Sequence, residues 1–377
     1  MDRGGTRLRG AIRDAAESSP DNAVFRQRAL EALRASVPFD AACLGLADPA
    51  SMMPTSLTTV GYDDAETYAA VFDIEYGPVD EPGRLDTMRH LGVPVRTLRE
   101  ATAGRVRSCR YYSDVLAPHG LRDEVRMLLR GRDGLVWGGC TMARTRGTVF
   151  SDAEVTLLGS VVTELGDGLR ATLFRASVEA LPVSPAGPAV AVVTGEDELE
   201  YATDAARDWL ARLGWGSVES PIPLLPGLAA ATGLRRSGDS IATLRARTRD
   251  GEWVVIRAGW RAPGADSVVL TIERAHLPEV VPLAALAHGL TRRETEVLAR
   301  LLAGDSREEI ARALFISPWT VQDHLRSVYA KTGTSGRRGL VSLLVRTEYV
   351  PRLGGPVGAD GWFVGEPAAG NGAPPPT

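Results

Sequence analysis

Between Leu290 and Arg346 apolar residues recur at three- and four-residue steps in four short runs, each punctuated by cap signals. Thr291-Arg-Arg-Glu294 and Ser306-Arg-Glu-Glu309 are capping boxes, in which a hydroxyl and a carboxylate each satisfy a backbone N–H at a helix start. The first opens a helix carrying Val297, Leu298, Leu301 and Leu302 that stops at Gly304. The second opens one carrying Ile310, Ala311 and Leu314. Ser317-Pro318 sets a cap residue before proline at the first helical position, where a missing N–H costs nothing. The third helix so begun runs to about Lys331 and stops at Gly333, and a fourth starts near Gly336 with Leu340, Val341, Leu343 and Leu344. Two short helices joined by a tight turn, the second exposed, predict a helix-turn-helix. Placed on a helical wheel, Val321, Leu325 and Val328 share an arc of about 60° and face the core. Trp319, Thr320, Asp323, Arg326, Ser327 and Ala330 lie opposite, with Gln322 on the border. This polar face on a rod of about 21 Å fits a major groove.

Upstream the period changes. Phe25 to Val37 predicts a helix. Ala41–Leu46 and Thr55–Val60 read as strands, and Asp123–Arg130 with Gly134–Arg144 as a hairpin. A capping box at Ser151 and Glu154 opens a long helix to Val178. Its stripe of Val155, Leu158, Val162, Leu165, Leu169 and Leu173 either pairs with a partner copy or packs on its own sheet. Residues 189–275 form a second small unit: strands at 189–193, 242–248, 252–257 and 267–273, and a helix from Asp204 to Leu213. Leu181–Pro188, with three prolines, is a linker, and Pro278 and Pro282 mark a second boundary ahead of the helical block. From Pro351 to Thr377, 13 of 27 residues are Gly or Pro, the composition of a disordered tail.

Composition then narrows the function. The chain has 377 residues and a net charge of -4, which excludes a wholly basic protein coating nucleic acid or membrane. Residues 287–350 instead carry ten basic against seven acidic side chains, a local basic footprint. Lys331 is the only lysine; Ala330 precedes it, so no phosphate loop of the Gly-Lys-Ser/Thr type exists, and an intact phosphate-accepting receiver domain is not expected. Cys43, Cys109 and Cys140 are too scattered for a disulfide framework or a metal site and suit a reducing cytoplasm. No apolar run is long enough to span a membrane, and the charged first 22 residues lack a signal core. The absence of GxSxG, HExxH, GxGxxG or Cys/His metal spacing argues against an enzyme, and no cofactor is called for.

Leu290–Leu298, Gly304, Glu309-Ile-Ala311, Leu314, Ile316-Ser317, Thr320-Val321, His324-Leu325, Lys331-Thr-Gly333 and Arg337-Arg338 together resemble the LuxR/GerE-type DNA-binding domain. The resemblance implies that Gln322, Asp323 and Arg326 face base edges, while Ser317, Thr320, His324, Lys331 and Arg337 sit at or near phosphates, and that Arg338 is a further DNA-binding residue. Val321 belongs to the same motif, with core packing as its main task. The fourth helix often supplies a dimer contact in this family. Asp323 either accepts from a cytosine amino group or orients Arg326, the second being preferred. Lys331 also suits the C-terminal end of a helix dipole, and Trp319 is expected to pack on the neighbouring helix.

Residues 20–180 are similar in layout to a GAF domain and 189–275 to a reduced PAS domain. Both layouts imply a small pocket on one sheet face, with Tyr111, Tyr112, Trp137 and Cys140 as candidate lining residues. His90 and His119 are isolated, so surface or capping roles are favoured over haem or metal ligation. Redox sensing at Cys109 or Cys140 is a minor alternative. The fold class expected is therefore α+β sensory domains, GAF-like (20–180) and PAS-like (189–275), followed by an all-α four-helix helix-turn-helix domain (287–350) and a tail (351–377). The function expected is a cytoplasmic one-component transcriptional regulator. It binds double-stranded DNA as a homodimer and takes a small-molecule effector; the alternative is a protein partner docking on the N-terminal region.

Overall fold

The computed structural model describes residues 3–49, 52–61, 64–76, 81–145, 149–175, 187–213, 215, 225–249, 251–275, 277–337 and 339–340. The chain divides into two compact units, one made of two sheets with their helices, the other holding the C-terminal helices.

In the first unit, α1 (Arg3–Ser18) and α2 (Asn22–Ser36) precede β1 (Ala41–Ala47) and β2 (Pro54–Val60). Then come α3 (Ala65–Tyr76), α4 (Leu85–Leu91), β3 (Val95–Thr97), α5 (Leu98–Ala101), β4 (Asp123–Arg130) and β5 (Val136–Arg144), closed by α6 (Asp152–Gly159) and α7 (Val162–Thr172). The five strands form one antiparallel sheet in the order β2-β1-β5-β4-β3. A second run adds β6 (Val190–Val193), β7 (Leu199–Ala202), α8 (Asp204–Leu213), α9 (Leu225–Ser237), β8 (Ile241–Arg247), β9 (Trp253–Trp260) and β10 (Val268–Arg274). Its sheet repeats the same order, β7-β6-β10-β9-β8, again antiparallel throughout. Helix α9 packs against both sheets' strands and against α3. Two ion pairs lace this seam, Arg236 to Asp86 at 3.3 Å and Arg245 to Asp48 at 3.6 Å. The α+β architecture is as the patterning predicts.

Several details differ from the sequence reading. The stripe from Val155 to Leu173 is not one rod: α6 ends at Gly159, Val161 leaves helical geometry at φ −119, ψ 1, and α7 starts afresh. The break turns Leu158, Val162, Leu165, Leu169 and Leu173 onto the protein's own interior, all at most 4% exposed, so the stripe is not available to a partner copy. The N-terminal segment, read only as charged, is the amphipathic helix α1, which buries Leu8, Ile12 and Ala15 and pairs Arg13 with Glu164 at 2.9 Å. Strand β7 and helix α9 had no strong pattern: β7 is four residues long, and α9 is Ala- and Gly-rich and buried nearly all round. The boundary read at Pro278 and Pro282 is helical, as α10 (Leu277–Ala287). The linker at 181–186 and the tail at 351–377 lie outside the described residues.

Gly166 shows how closely α7 approaches the β4–β5 turn. A Cβ there would lie 2.7 Å from the Arg130 carbonyl carbon and 2.8 Å from the Gly131 nitrogen, both backbone atoms unable to step aside. Gly166→Ala is therefore expected to destabilise the first unit by about 1–3 kcal/mol. Gly10→Ala, in α1 with no heavy atom near the added methyl, should stabilise it by about 0.5–1 kcal/mol. Urea unfolding followed by far-ultraviolet circular dichroism compares the two; equal shifts would contradict this packing.

Candidate nucleic-acid interface

The second unit is built from cap to cap. Helix α11 (Arg292–Leu302) starts at Thr291 and α12 (Arg307–Leu314) at Ser306, each with its capping box formed in both directions. Helix α13 (Pro318–Thr332) starts at Ser317, whose hydroxyl accepts from Thr320 N at 3.0 Å, and ends at Gly333 in the left-handed region. The turn between α12 and α13 passes through Phe315 at φ 55, an unusual conformation for a bulky residue. Its N–H bonds back to the end of α12, and its ring stands 95% exposed. Val297, Leu298, Leu301, Ile310, Ala311, Val321, Leu325 and Val328 close the core between the three helices, all 6% exposed or less. Burying each of the valines, leucines and the isoleucine among them stabilises by about 1.5–3 kcal/mol.

On the far side of α13, Trp319, Asp323, Arg326 and Ala330 are exposed, with Thr320, Gln322 and His324 half-buried between them. Arg326 donates to Asp323 across one turn at 3.0 Å. Arg307, at the start of α12, reaches Gln322 Oε1 at 3.3 Å and brings a second cation to this face. Trp319 does not pack on the neighbouring helix: it is 73% exposed, because its position on the wheel points away from Val321 and Leu325.

The carboxylate of Glu294 fixes α13 to α11. One oxygen accepts from the Ser327 hydroxyl at 2.6 Å, the other from Lys331 Nζ at 2.7 Å, and the same side chain completes the capping box at Thr291. Burial by itself raises the Glu294 carboxyl, but the hydrogen bonds from Lys331, Ser327 and Thr291 outweigh it and bring the pKa down to about 2. Ser327 thus belongs inside, not on the outer face where the wheel put it. Arg337 Nη2 donates to the Leu301 carbonyl at 3.2 Å, closing the end of α11. Arg338 and the fourth helix beyond Leu340 lie outside the described residues.

Residues 288–344 match the family model described as bacterial regulatory proteins, luxR family. The spore germination protein GerE of Bacillus subtilis is 42% identical over 57 residues, which are 15% of this chain and 77% of GerE. The chain belongs to the LuxR family of bacterial regulatory proteins. The CsgBAC operon transcriptional regulatory protein of Escherichia coli is 47% identical over 53 residues, 14% of this chain and 24% of that one. A Mycobacterium bovis protein bearing the name HTH-type transcriptional regulator is 29% identical over 186 residues, 41% of this chain. This chain spans only about a fifth (21%) of that relative's length. Among solved structures, the GAF domain of an Acinetobacter phosphoenolpyruvate-protein phosphotransferase is covered to 94% by 45% of this chain, at 13% identity and a TM-score of 0.32. The α+β assignment rests on the two sheets themselves.

The LuxR-family chain has a C-terminal DNA-binding domain with its apolar residues inward and the polar face of α13 outward. Ahead of it, the first unit contains a cavity of about 110 Å³ between the first sheet, α3 and α9. Of the four residues proposed to line a pocket, Tyr111 does so. Cys140 alternates with the lining residues Gly139 and Thr141 along β5 and so points to the other side of the sheet. Trp137 is fully buried and donates its indole N–H to Asp133 at 3.0 Å, while Tyr112 lines a separate hollow with Arg99 and Arg122. His119 lies beside Asp64 and Thr67, and His90 beside Asp86; among the described residues no cluster of His, Cys, Asp or Glu could hold a metal. Cys109 and Cys140 are free thiols that burial pushes above their ordinary range. No described helix is long and apolar enough to cross a membrane.

Because the Glu294 carboxyl is depressed from an ordinary 4.5 to about 2, its contribution to stability is complete above about pH 4.5 and is lost as pH falls toward 2. Glu294→Gln is expected to cost the C-terminal unit about 1–3 kcal/mol at pH 7. The deficit relative to the parent should shrink as pH drops through that window. Hydrogen exchange of the α13 amides measures this directly; a deficit independent of pH would remove the ionised carboxylate from its assigned place.

Proposed function

We propose that this protein is a one-component transcriptional regulator that inserts α13 into the major groove of a two-fold DNA site as a homodimer. The observation that carries this reading is the two-sidedness of α13, with Val321, Leu325 and Val328 buried while Asp323 and Arg326 stand in solvent. In this reading Gln322, Asp323 and Arg326 meet base edges. Ser317, Thr320 and His324 flank the phosphates, joined by the exposed part of Lys331 and by Arg337 and Arg338. Arg307 joins them, since it already lies against Gln322. Val321 serves the interface through packing alone. The dimer contact falls to the segment after Gly336, because the stripe from Leu158 to Leu173 is spent on the protein's own interior. The input is a small molecule bound in the first unit, a reading favoured over a docked protein partner by the concave, largely apolar cavity there. Under this reading the chain transmits a signal and catalyses no reaction, and it works in the cytoplasm.

Selection of random duplexes by the full chain, followed by sequencing, should return inverted half-sites about 10–10.5 base pairs apart, or a multiple of that. Recovery of no preferred sequence would sink the proposal. On the selected site Arg326→Ala should weaken binding by about 1–3 kcal/mol and relax one base position. Lys331→Ala should weaken selected and random duplexes alike, and also loosen the hold on Glu294. Gel-shift titrations over a salt series separate the two effects.

A further inference from the structure

Among the polar groups of the cavity wall one buried cation has a donor to spare, and that donor points to what the cavity takes. Arg126 on β4 is 4% exposed and lies between two carboxylates. Its Nε donates to Glu124 at 2.6 Å, and its Nη1 to Glu75 at 2.9 Å and to the Gly83 carbonyl at 3.0 Å. The guanidinium stacks on the Tyr111 ring with its carbon 4.0 Å from the centroid. Among the described residues, Nη2 has no hydrogen-bond partner, and Arg126 is part of the cavity wall. A ligand acceptor placed in the cavity would match this donor.

Charge on the wall is balanced. Glu75 is taken by Arg126 and the Leu85 N–H, and Asp86 at the rim is paired with Arg236. Glu124 is not among the lining residues. A cation would find no open carboxylate, and an anion would sit beside Glu75. Apart from the hydroxyls of Thr67, Thr141 and Tyr76 the rest of the wall is largely apolar or aromatic, with Tyr68 and Phe72 opposite the stretch of sheet where Gly45 pairs with Gly139 and Leu57 stands beside Gly45. A side chain at Gly139 would meet Leu85 at 2.6 Å, so the glycine keeps that leucine down on the sheet and the space open. A comparable apolar cavity of about 150 Å³ takes one benzene.

We infer that this cavity is the input site of the regulator proposed above, and that it takes an uncharged molecule about one six-membered ring in size. The molecule carries a carbonyl-type acceptor that is held by Arg126 Nη2. Because Arg236 of α9 lies at the rim over Tyr76, with 5.5 Å from guanidinium to ring, the occupant would also touch α9, the helix that packs on strands of both sheets.

Isothermal titration of the full chain with benzamide, benzoate, benzylammonium and toluene tests the assignment. Benzamide should bind at one site per chain and at least tenfold tighter than the other three. Arg126→Lys keeps a cation between Glu75 and Glu124 but removes Nη2, and should weaken benzamide at least tenfold while leaving toluene unchanged. Val71→Phe, which fills the cavity without touching the charges, should abolish binding of every probe. Equal binding of benzamide and toluene, or an unaltered Arg126→Lys, overturns the acceptor assignment while leaving a small-molecule site in place. Benzamide binding that survives Val71→Phe overturns the location. If none of the four probes binds the folded chain, the inference and the small-molecule reading fall together.

Discussion

One buried carboxylate holds the C-terminal unit in register. A helix that reads a groove must present one face and no other, and a rotation of a single residue moves every side chain by about 100°. Core packing of Val321, Leu325 and Val328 restricts that rotation, but apolar contacts are non-directional. Glu294 adds direction. Its two oxygens take hydrogen bonds from Ser327 and Lys331, one helical turn apart on α13, while its own backbone sits in the first turn of α11. Withdrawing either donor leaves a buried charge short of a partner, so the arrangement resists slippage more steeply than packing would. The polar face of α13 points outward because its inward polar residues are tied down.

The first unit solves a similar problem and leaves a remainder. Arg126 is buried among core residues and is held by two carboxylates and a carbonyl, but those three partners leave one terminal nitrogen unused. Burial pushes the Glu124 carboxyl up, against the pull of Arg126, and Glu124 Oε2 has no hydrogen bond among the described residues. In the C-terminal unit the buried acid is fully used, as suits a part that must not move. In the first unit the polar cluster is incomplete beside an open space, as suits a part that waits for something.

What the sequence made legible follows from how local each cause is. The capping boxes at Thr291 and Ser306, and the Ser317-Pro318 start, act within four residues, and all three fall where the pattern placed them. The inner face of α13 was equally readable, since three apolar residues at helical spacing leave one solution. Ser327 was not, because its partner Glu294 is 33 residues away and a wheel knows nothing of distant acids. Trp319 misled for the opposite reason: a large aromatic is normally covered, but here no neighbouring helix reaches it. In the first unit the strands declared themselves by alternation, whereas α9 is buried on nearly every side and has no stripe to detect. The break at Val161 was hidden because an apolar stripe continues through it once the helix restarts. Cavity lining was the least legible of all. It depends on Gly45 facing Gly139 across two strands and on Arg126 meeting Glu75 of α3, contacts between residues far apart in the chain.

An acid on the face proposed to read DNA looks self-defeating, and magnitudes resolve it. The Asp323–Arg326 pair is exposed, 49% and 69% by side chain, and one turn apart. Such a pair is worth about 0.2–0.5 kcal/mol. A bidentate arginine–guanine contact is worth about 1–3 kcal/mol. The pair therefore cannot hold Arg326 back from a base that suits it. It does narrow the rotamers of a long side chain before contact, when ordering a free arginine would cost up to about 2 kcal/mol. In the proposed complex the acid also penalises any site where Arg326 finds no acceptor, because Asp323 would then face the phosphates with its partner still attached and its repulsion only partly cancelled. A cation alone would bind every duplex somewhat better. A cation tethered to an acid binds the wrong duplexes worse, and that difference is what specificity consists of.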